Sequence, residues 1–269
     1  MLANKMAVNT SKCKIIIFHN KGKKINNDIL KVYLNFNKIG HPNNPDKMFP
    51  LDRISTNDPV PENRCYKYLG ILLDEQLSFN SHIDHICKKL SKGLFCLNRA
   101  KNFLPKKCLR TLYFSVFHSH LLYCSLILGC TSSSNIKKIL TLQKKAIRSI
   151  SHAKYNDHTH PLFSELKILP FDKILLQRKL LFMHGIIYEY GIKTFEDTWP
   201  MNNARFLHQN LRNEYDLTIP QPNFEGFKKF PLYDFAKTWN ELGPMKYQQN
   251  PTTFKIWLKD ELFRQLNPD

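Results

Sequence analysis

The sequence predicts an α+β chain: a small N-terminal antiparallel β portion, then a mainly α-helical bundle, then an irregular helical C-terminal region. Three observations carry this. Short apolar runs bounded by turn residues fill the first part of the chain. The apolar period then lengthens from two to about 3.6, and beyond residue 156 helical patterns alternate with Asn-, Pro- and aromatic-rich stretches. The implied divisions are 1–79, 80–156 and 157–269, with a Pro/Asn-rich insertion at about 37–63. Internal repeats are not evident.

Ile15-Ile16-Ile17-Phe18 is a β-branched run closed by the turn-rich HNKGKK, which reads as a strand and a turn. Leu30 to Phe36 alternates apolar and polar residues and reads as a second strand. From Asn37 to Asn63 repeated prolines argue against helix and ladder alike, so a loop or partly disordered insertion is expected. Cys65 to Asp74, CYKYLGILLD, reads as a third strand in which Leu69, Ile71 and Leu73 face a core and Gly70 permits a close backbone approach.

Ser81 then caps a helix with Ile83, Ile86, Cys87, Leu90, Leu94 and Leu97 on one side, ending near Phe103-Leu104 before Pro105 opens the next segment. A charge-poor helix follows. TSSSN caps another, with Ile136, Ile139, Leu140, Leu142, Ala146, Ile147 and Ile150 as its apolar positions. Further helical patterns run from about Asp172 to Tyr190, introduced by Pro170, and through TTFKIWLKDELFRQL near the C-terminus.

A hydrophobic content of 42% over 269 residues supports a real core and excludes disorder of the whole chain. The seven cysteines are odd in number and scattered without a C-x-x-C pair, so reduced thiols in an intracellular protein, nuclear or cytoplasmic, are expected. No signal-peptide core precedes the polar N-terminal residues, and secretion is not expected. Thr111 to Asn135 carries no Asp, Glu, Lys or Arg and is long enough to span a bilayer. Its His118, His120, Ser115, Ser119 and Ser125 are costly in lipid, so a buried helix is the expectation and no membrane span is assigned.

The balance of 40 Lys+Arg against 22 Asp+Glu gives a formal charge of +18, which favours a polyanionic partner. Between His85 and Asn156 there is no Asp or Glu. That window holds Lys88, Lys89, Lys92, Arg99, Lys101, Lys106, Lys107, Arg110, Lys137, Lys138, Lys144, Lys145, Arg148 and Lys154. Solvated helices usually carry Glu four residues from Lys, because such pairs stabilise and like charges repel. A bundle without those acids suits phosphates, which neutralise the repulsion and release counterions. Such contacts position a protein without reading sequence.

Catalytic chemistry is harder to place. Two-metal phosphoryl transfer needs converging carboxylates, and the chain has no Asp-Asp pair and no Asp-x-Asp. Asp28, Asp46, Asp52, Asp58 and Asp74 fall mostly in the loop region. His82 and His85 lie one helical turn apart near Asp84 and Cys87, but a third and fourth zinc ligand at standard spacing are missing. No metal is assigned. No Gly-rich phosphate loop and no G-x-S-x-G occurs.

Residues 4–18, NKMAVNTSKCKIIIF, resemble the "N-K-L-x-L-N-x-x-K-T-x-x-x-x-F" segment of non-LTR retrotransposon reverse transcriptases, the Jockey-like and related LINE-type elements. Tyr66 to Ile71 is similar to their "K-Y-L-G-V" element and His82-Ile83 to the "H-I" that opens a thumb helix. Leu121 to Cys124 resembles "x-L-x-Y-G", Leu142 to Arg148 "L-Q-x-R-A-x-R", and Trp239 to Leu242 "W-N-x-L-P" with Gly243 in place of the proline. The resemblance thus extends over nearly the whole chain.

The resemblance implies an RNA-directed DNA polymerase, with a palm remnant before residue 80, a thumb-like bundle over 80–156 and a downstream region. It implies that Lys12 is the lysine of polymerase motif D, near the leaving pyrophosphate, with Cys13 where threonine is usual. Tyr68, Leu69 and Gly70 become primer-grip-like. The family's "A-D-D" metal-binding turn is expected upstream of Met1, so Mg2+ is implied only for the full-length family and no cofactor is expected to be retained here. The expected partners are RNA, DNA or an RNA–DNA duplex, bound through phosphates by Lys88, Lys89, Lys92, Arg99, Lys101, Lys106, Lys107, Arg110, Lys144, Lys145 and Arg148. A helical interaction protein facing an acidic partner or an anionic membrane is the alternative. A decayed reading frame, folding only over roughly 81–190, is the third.

Overall fold

The computed structural model describes residues 12–19, 33–35, 48–191, 195, 198–200, 216–223 and 225–266. Asn4 to Ser11 of the reverse-transcriptase-like segment, most of Leu30 to Phe36, and residues 37–47 of the expected insertion lie outside them. The chain divides into two compact units, Met1–His82 and Ile83–Asp269.

Among the described residues the first unit holds three two-stranded ladders. β1 (Lys14–Ile16) pairs with β4 (Asp52–Ile54), β2 (Tyr33–Asn35) with β3 (Met48–Pro50), and β5 (Tyr66–Tyr68) with β6 (Ile71–Leu73). The last two are antiparallel, as expected, but β1 and β4 run parallel, with Ile15 opposite Arg53. Residues 17–51 intervene, long enough for the crossover that a parallel pair requires.

The proline-rich stretch carries more order than its composition suggests. It contains β3, β4 and a 3-10 turn at Pro61–Asn63. Lys14 Nζ donates to Asn63 Oδ1 at 2.7 Å, and Ser55 N to Asn63 O at 2.9 Å. The main anchor is Glu75, buried just beyond β6. Its carboxylate accepts from Ser55 Oγ, from Thr56 N and Oγ1, and from Arg53 Nη2, at 2.8 to 3.1 Å. Burial alone would raise its pKa, yet the Thr56, Ser55 and His19 bonds outweigh that and hold it below the usual value.

CYKYLGILLD is a hairpin and not the single strand expected. Leu69 and Gly70 both have positive φ, 45° and 83°, forming a two-residue turn that pairs Tyr68 with Ile71. Two positive φ values match the right-handed strand twist, a job usually given to Asn-Gly. Ile71 is buried, but Leu69 is 73% exposed at the tip, so the alternation expected across it does not hold.

α1 (Asn80–Ala100) begins one residue before the expected Ser81 cap. Asp74 organises the approach: its carboxylate accepts from Gln76 N, Ser78 N, Ser78 Oγ and Phe79 N, each within 3.0 Å. His82 is buried, and its Nδ1 accepts from Leu72 N at 3.4 Å, a structural role in place of a metal one.

In the second unit α1 buries Ile83, Ile86, Leu90 and Leu97, four of the six apolar positions expected, with Cys87 and Leu94 half-buried. Gly93 lies on that face, and a Cβ there would sit 2.8 Å from Val116 O. α2 (Lys106–Tyr113) continues through a π-turn at Phe114–His118 into α3 (Ser119–Leu122). Cys124, at φ 53°, breaks the path before α4 (Ser125–Leu128). The charge-poor run is therefore three helical pieces, and no described helix is long and apolar enough to cross a membrane.

α5 (Ser133–Ile150) is capped by Ser132, whose Oγ accepts from Asn135 N at 3.4 Å. α6 (Thr159–Glu165) and α7 (Phe171–Ile187) follow, the latter entered through Pro170 as expected. α8 (Pro231–Asn240) and α9 (Pro251–Arg264) pack on α7. Among their contacts, the His184 ring stacks on Phe254 with centroids 4.0 Å apart. Asn240 clamps a distant backbone: Leu217 N donates to its Oδ1 at 2.8 Å, and its Nδ2 to Leu217 O at 2.9 Å. One hydrophobic core runs from Ile83 to Leu266.

Candidate nucleic-acid interface

The basic residues lie on helices whose opposite faces are fixed by the core. Two contacts tie α1 to α5: Lys138 Nζ to Asp84 Oδ1 at 3.3 Å near their starts, and Ser149 Oγ to Asn98 Oδ1 at 2.8 Å near their ends. The helices therefore run side by side in the same direction. That register brings Lys92 of α1 to the level of Lys144 and Lys145 of α5.

Lys88, Lys89, Lys92, Lys107 and Lys145 are exposed and make no hydrogen bond or ion pair among the described residues. Lys101 and Lys144 are half-buried. On α1, Lys88, Lys92, Phe95 and Arg99 follow one another at helical spacing along one exposed stripe. Arg99 places its guanidinium carbon 5.4 Å from the centre of the Phe95 ring.

Three further cations are engaged by protein partners. Lys106 pairs with Glu165, Arg110 Nε donates to Leu166 O at 2.7 Å, and Arg110 also lies over the Phe114 ring. Arg148 donates through Nε and Nη2 to Asp157 O at 3.0 and 2.9 Å, closing the loop after α5. Carboxylates from outside the acid-free window, Asp84 and Glu165, thus reach two of its lysines. Sequence spacing alone does not show these fold-back contacts.

In the first unit Lys12 is exposed just ahead of β1. Tyr68 and Leu69, 57% and 73% exposed, project at the hairpin tip with Gly70 between Leu69 and β6. Asp74 and Glu75 are the buried acids nearest that tip in sequence, and their oxygens are taken up by protein donors. They do not fit a divalent-metal site, and no group of three or more metal-ligating side chains occurs among the described residues.

Two residues missing from the expected set are Phe95 and Phe103, 63% and 83% exposed. Their signal was present in the sequence, since Phe95 falls off the apolar face of α1 and Phe103 just beyond its end, each among cations. All seven cysteines are free thiols.

Comparison with known proteins finds relatives among mobile-element enzymes. The chain is 32% identical over 112 residues to the RNA-directed DNA polymerase from mobile element jockey of Drosophila melanogaster, covering 40% of this chain and 12% of that protein. It is 33% identical over 122 residues to the probable RNA-directed DNA polymerase from transposon X-element of the same species, covering 43% and 13%. The jockey polymerase of Drosophila funebris is 29% identical over 106 residues. No family model and no solved structure matches. The chain is thus related to the RNA-directed DNA polymerases of non-LTR mobile elements and matches about an eighth of their length.

Proposed function

We propose that this chain is the primer-grip and thumb-like part of a non-LTR reverse transcriptase and that it holds primer–template nucleic acid through phosphates. The observation that carries this reading is the row of exposed lysines, Lys88 and Lys92 on α1 and Lys145 on the parallel α5, with no acid between residues 85 and 156. The hairpin tip of Tyr68, Leu69 and Gly70 takes the primer-grip position, and the ladders around it are the palm portion. Lys12 keeps the motif D position, next to the leaving pyrophosphate in a complete enzyme.

The aspartate turn that would bind Mg2+ in that enzyme does not occur in these 269 residues. Nucleic-acid binding without polymerisation is the activity of this chain by itself. The reduced cysteines suit an intracellular setting, nucleus or cytoplasm.

The test is fluorescence anisotropy of the full chain on an RNA–DNA primer–template over a salt series. Affinity should fall steeply with salt, and charge reversal of Lys88, Lys92 and Lys145 to Glu should lower both affinity and slope. Primer extension by the purified chain would overturn the inactive part of the reading. Binding to anionic vesicles that duplex cannot displace would favour the membrane alternative.

A further inference from the structure

We infer that the C-terminal end of α1 carries a stacking site for an unpaired nucleotide, so that the bundle grips a single strand beside the duplex. This rests on the nucleic-acid reading above and assigns to it a contact that phosphate binding does not require. Phe95 and Phe103 are both exposed and line one shallow apolar hollow with Cys96, Arg99 and Ala100. The Phe103 N–H bonds to Ala100 O at 3.0 Å, which fixes the turn that carries the second ring just after α1.

Charge decides the occupant. An apolar hollow alone would suit a protein helix or a second copy of the chain. Here the guanidinium of Arg99 lies over the Phe95 ring, and Lys92 and Lys88 continue the same stripe one and two turns back. Alternating aromatic faces and cations match a strand that offers a base to each ring and a phosphate to each cation. Bases inside a duplex are stacked on each other and cannot reach such rings. The ligand is therefore single-stranded RNA or DNA with little sequence preference.

The experiment uses the full chain and two probes: a single-stranded oligonucleotide carrying 2-aminopurine and a blunt duplex. The double variant Phe95→Ala/Phe103→Ala should weaken single-strand binding by roughly tenfold, abolish 2-aminopurine quenching and leave duplex affinity unchanged. Phe95→Trp should keep the quenching, which separates stacking from simple loss of bulk. Equal loss on both probes, or no loss on either, overturns the site while leaving the phosphate reading intact. If the wild type binds neither probe, both readings fail. If the double variant instead loses self-association on a sizing column, the face is an interface between copies and the inference is wrong.

Discussion

Gln143 Nε2 donates to the Tyr113 hydroxyl at 3.0 Å and to Leu169 O at 2.9 Å, while its Oε1 accepts from Phe171 N at 2.7 Å. One fully buried amide thus joins α5, α2 and the first turn of α7. Gln143→Leu keeps the volume but orphans a buried N–H and a buried carbonyl, which should cost about 3 kcal/mol. Tyr113→Phe removes only one partner and should cost about 1 kcal/mol. Urea unfolding followed by far-UV circular dichroism checks both, and equal effects would contradict the assignment.

Cys124 adopts φ 53° where the reverse-transcriptase-like motif carries glycine. A left-handed conformation costs an L-residue with a Cβ about 1 kcal/mol or more. Cys124→Gly should therefore raise stability by about 1 kcal/mol, although glycine at most helical positions lowers it. A higher urea midpoint with unchanged m-value is the expected result.

Gly93 faces Val116 O with no room for a methyl group, since backbone on both sides must move to admit one. Gly93→Ala should destabilise by roughly 2 kcal/mol through overpacking, against the usual gain for alanine in a helix. Thermal unfolding of the variant beside Gly129→Ala, whose nearest side-chain neighbour is the flexible end of Lys179 at 3.2 Å, separates close packing from propensity.

His118 is held neutral, its pKa pushed down from 6.5 to about 4 by burial first and by Arg178 second. The unfolded chain therefore binds this proton more readily than the folded one, and stability is lost as pH falls. The contribution is complete above pH 6.5 and drains away towards pH 4. His120 and His184 shift in the same direction, mainly by burial, so the fall is shared. His118→Phe, placed between Tyr113 and Phe114, should flatten part of it in a pH series of urea midpoints.

Helical faces were legible because burial follows the 3.6-residue period: Ile83, Ile86, Leu90 and Leu97 line the core as read, and so do Ile139, Ala146, Ile147 and Ile150. The hairpin was not legible, because Leu69-Gly70 lacks the Asn-Gly signature and an unbroken apolar run hides the turn. β4 was missed for another reason. Glu75, lying more than a dozen residues further on, holds the Ser55–Thr56 turn, and such distant contacts leave no local pattern. In the candidate interface the exposed lysines were readable from charge alone. The inward turn of Arg110 and Arg148 depends on carbonyls at Leu166 and Asp157, which only the folded chain brings near.

The π-turn at Phe114–His118 has one last effect. Leu109, Tyr113, Phe117 and Leu121 recur every four residues and all are fully buried. An ideal α-helix would carry such a series steadily around its axis, by about 40° at each step, but the wider turn slows that drift and keeps the four aligned. Removing one residue from 114–118 would leave an ordinary α-helix in which Leu109 and Leu121 stand about 1100° apart, within about 20° of three full turns, so Leu121 stays on the core side. This segment should therefore tolerate a single-codon deletion better than a single-codon insertion, which would demand a second wide turn.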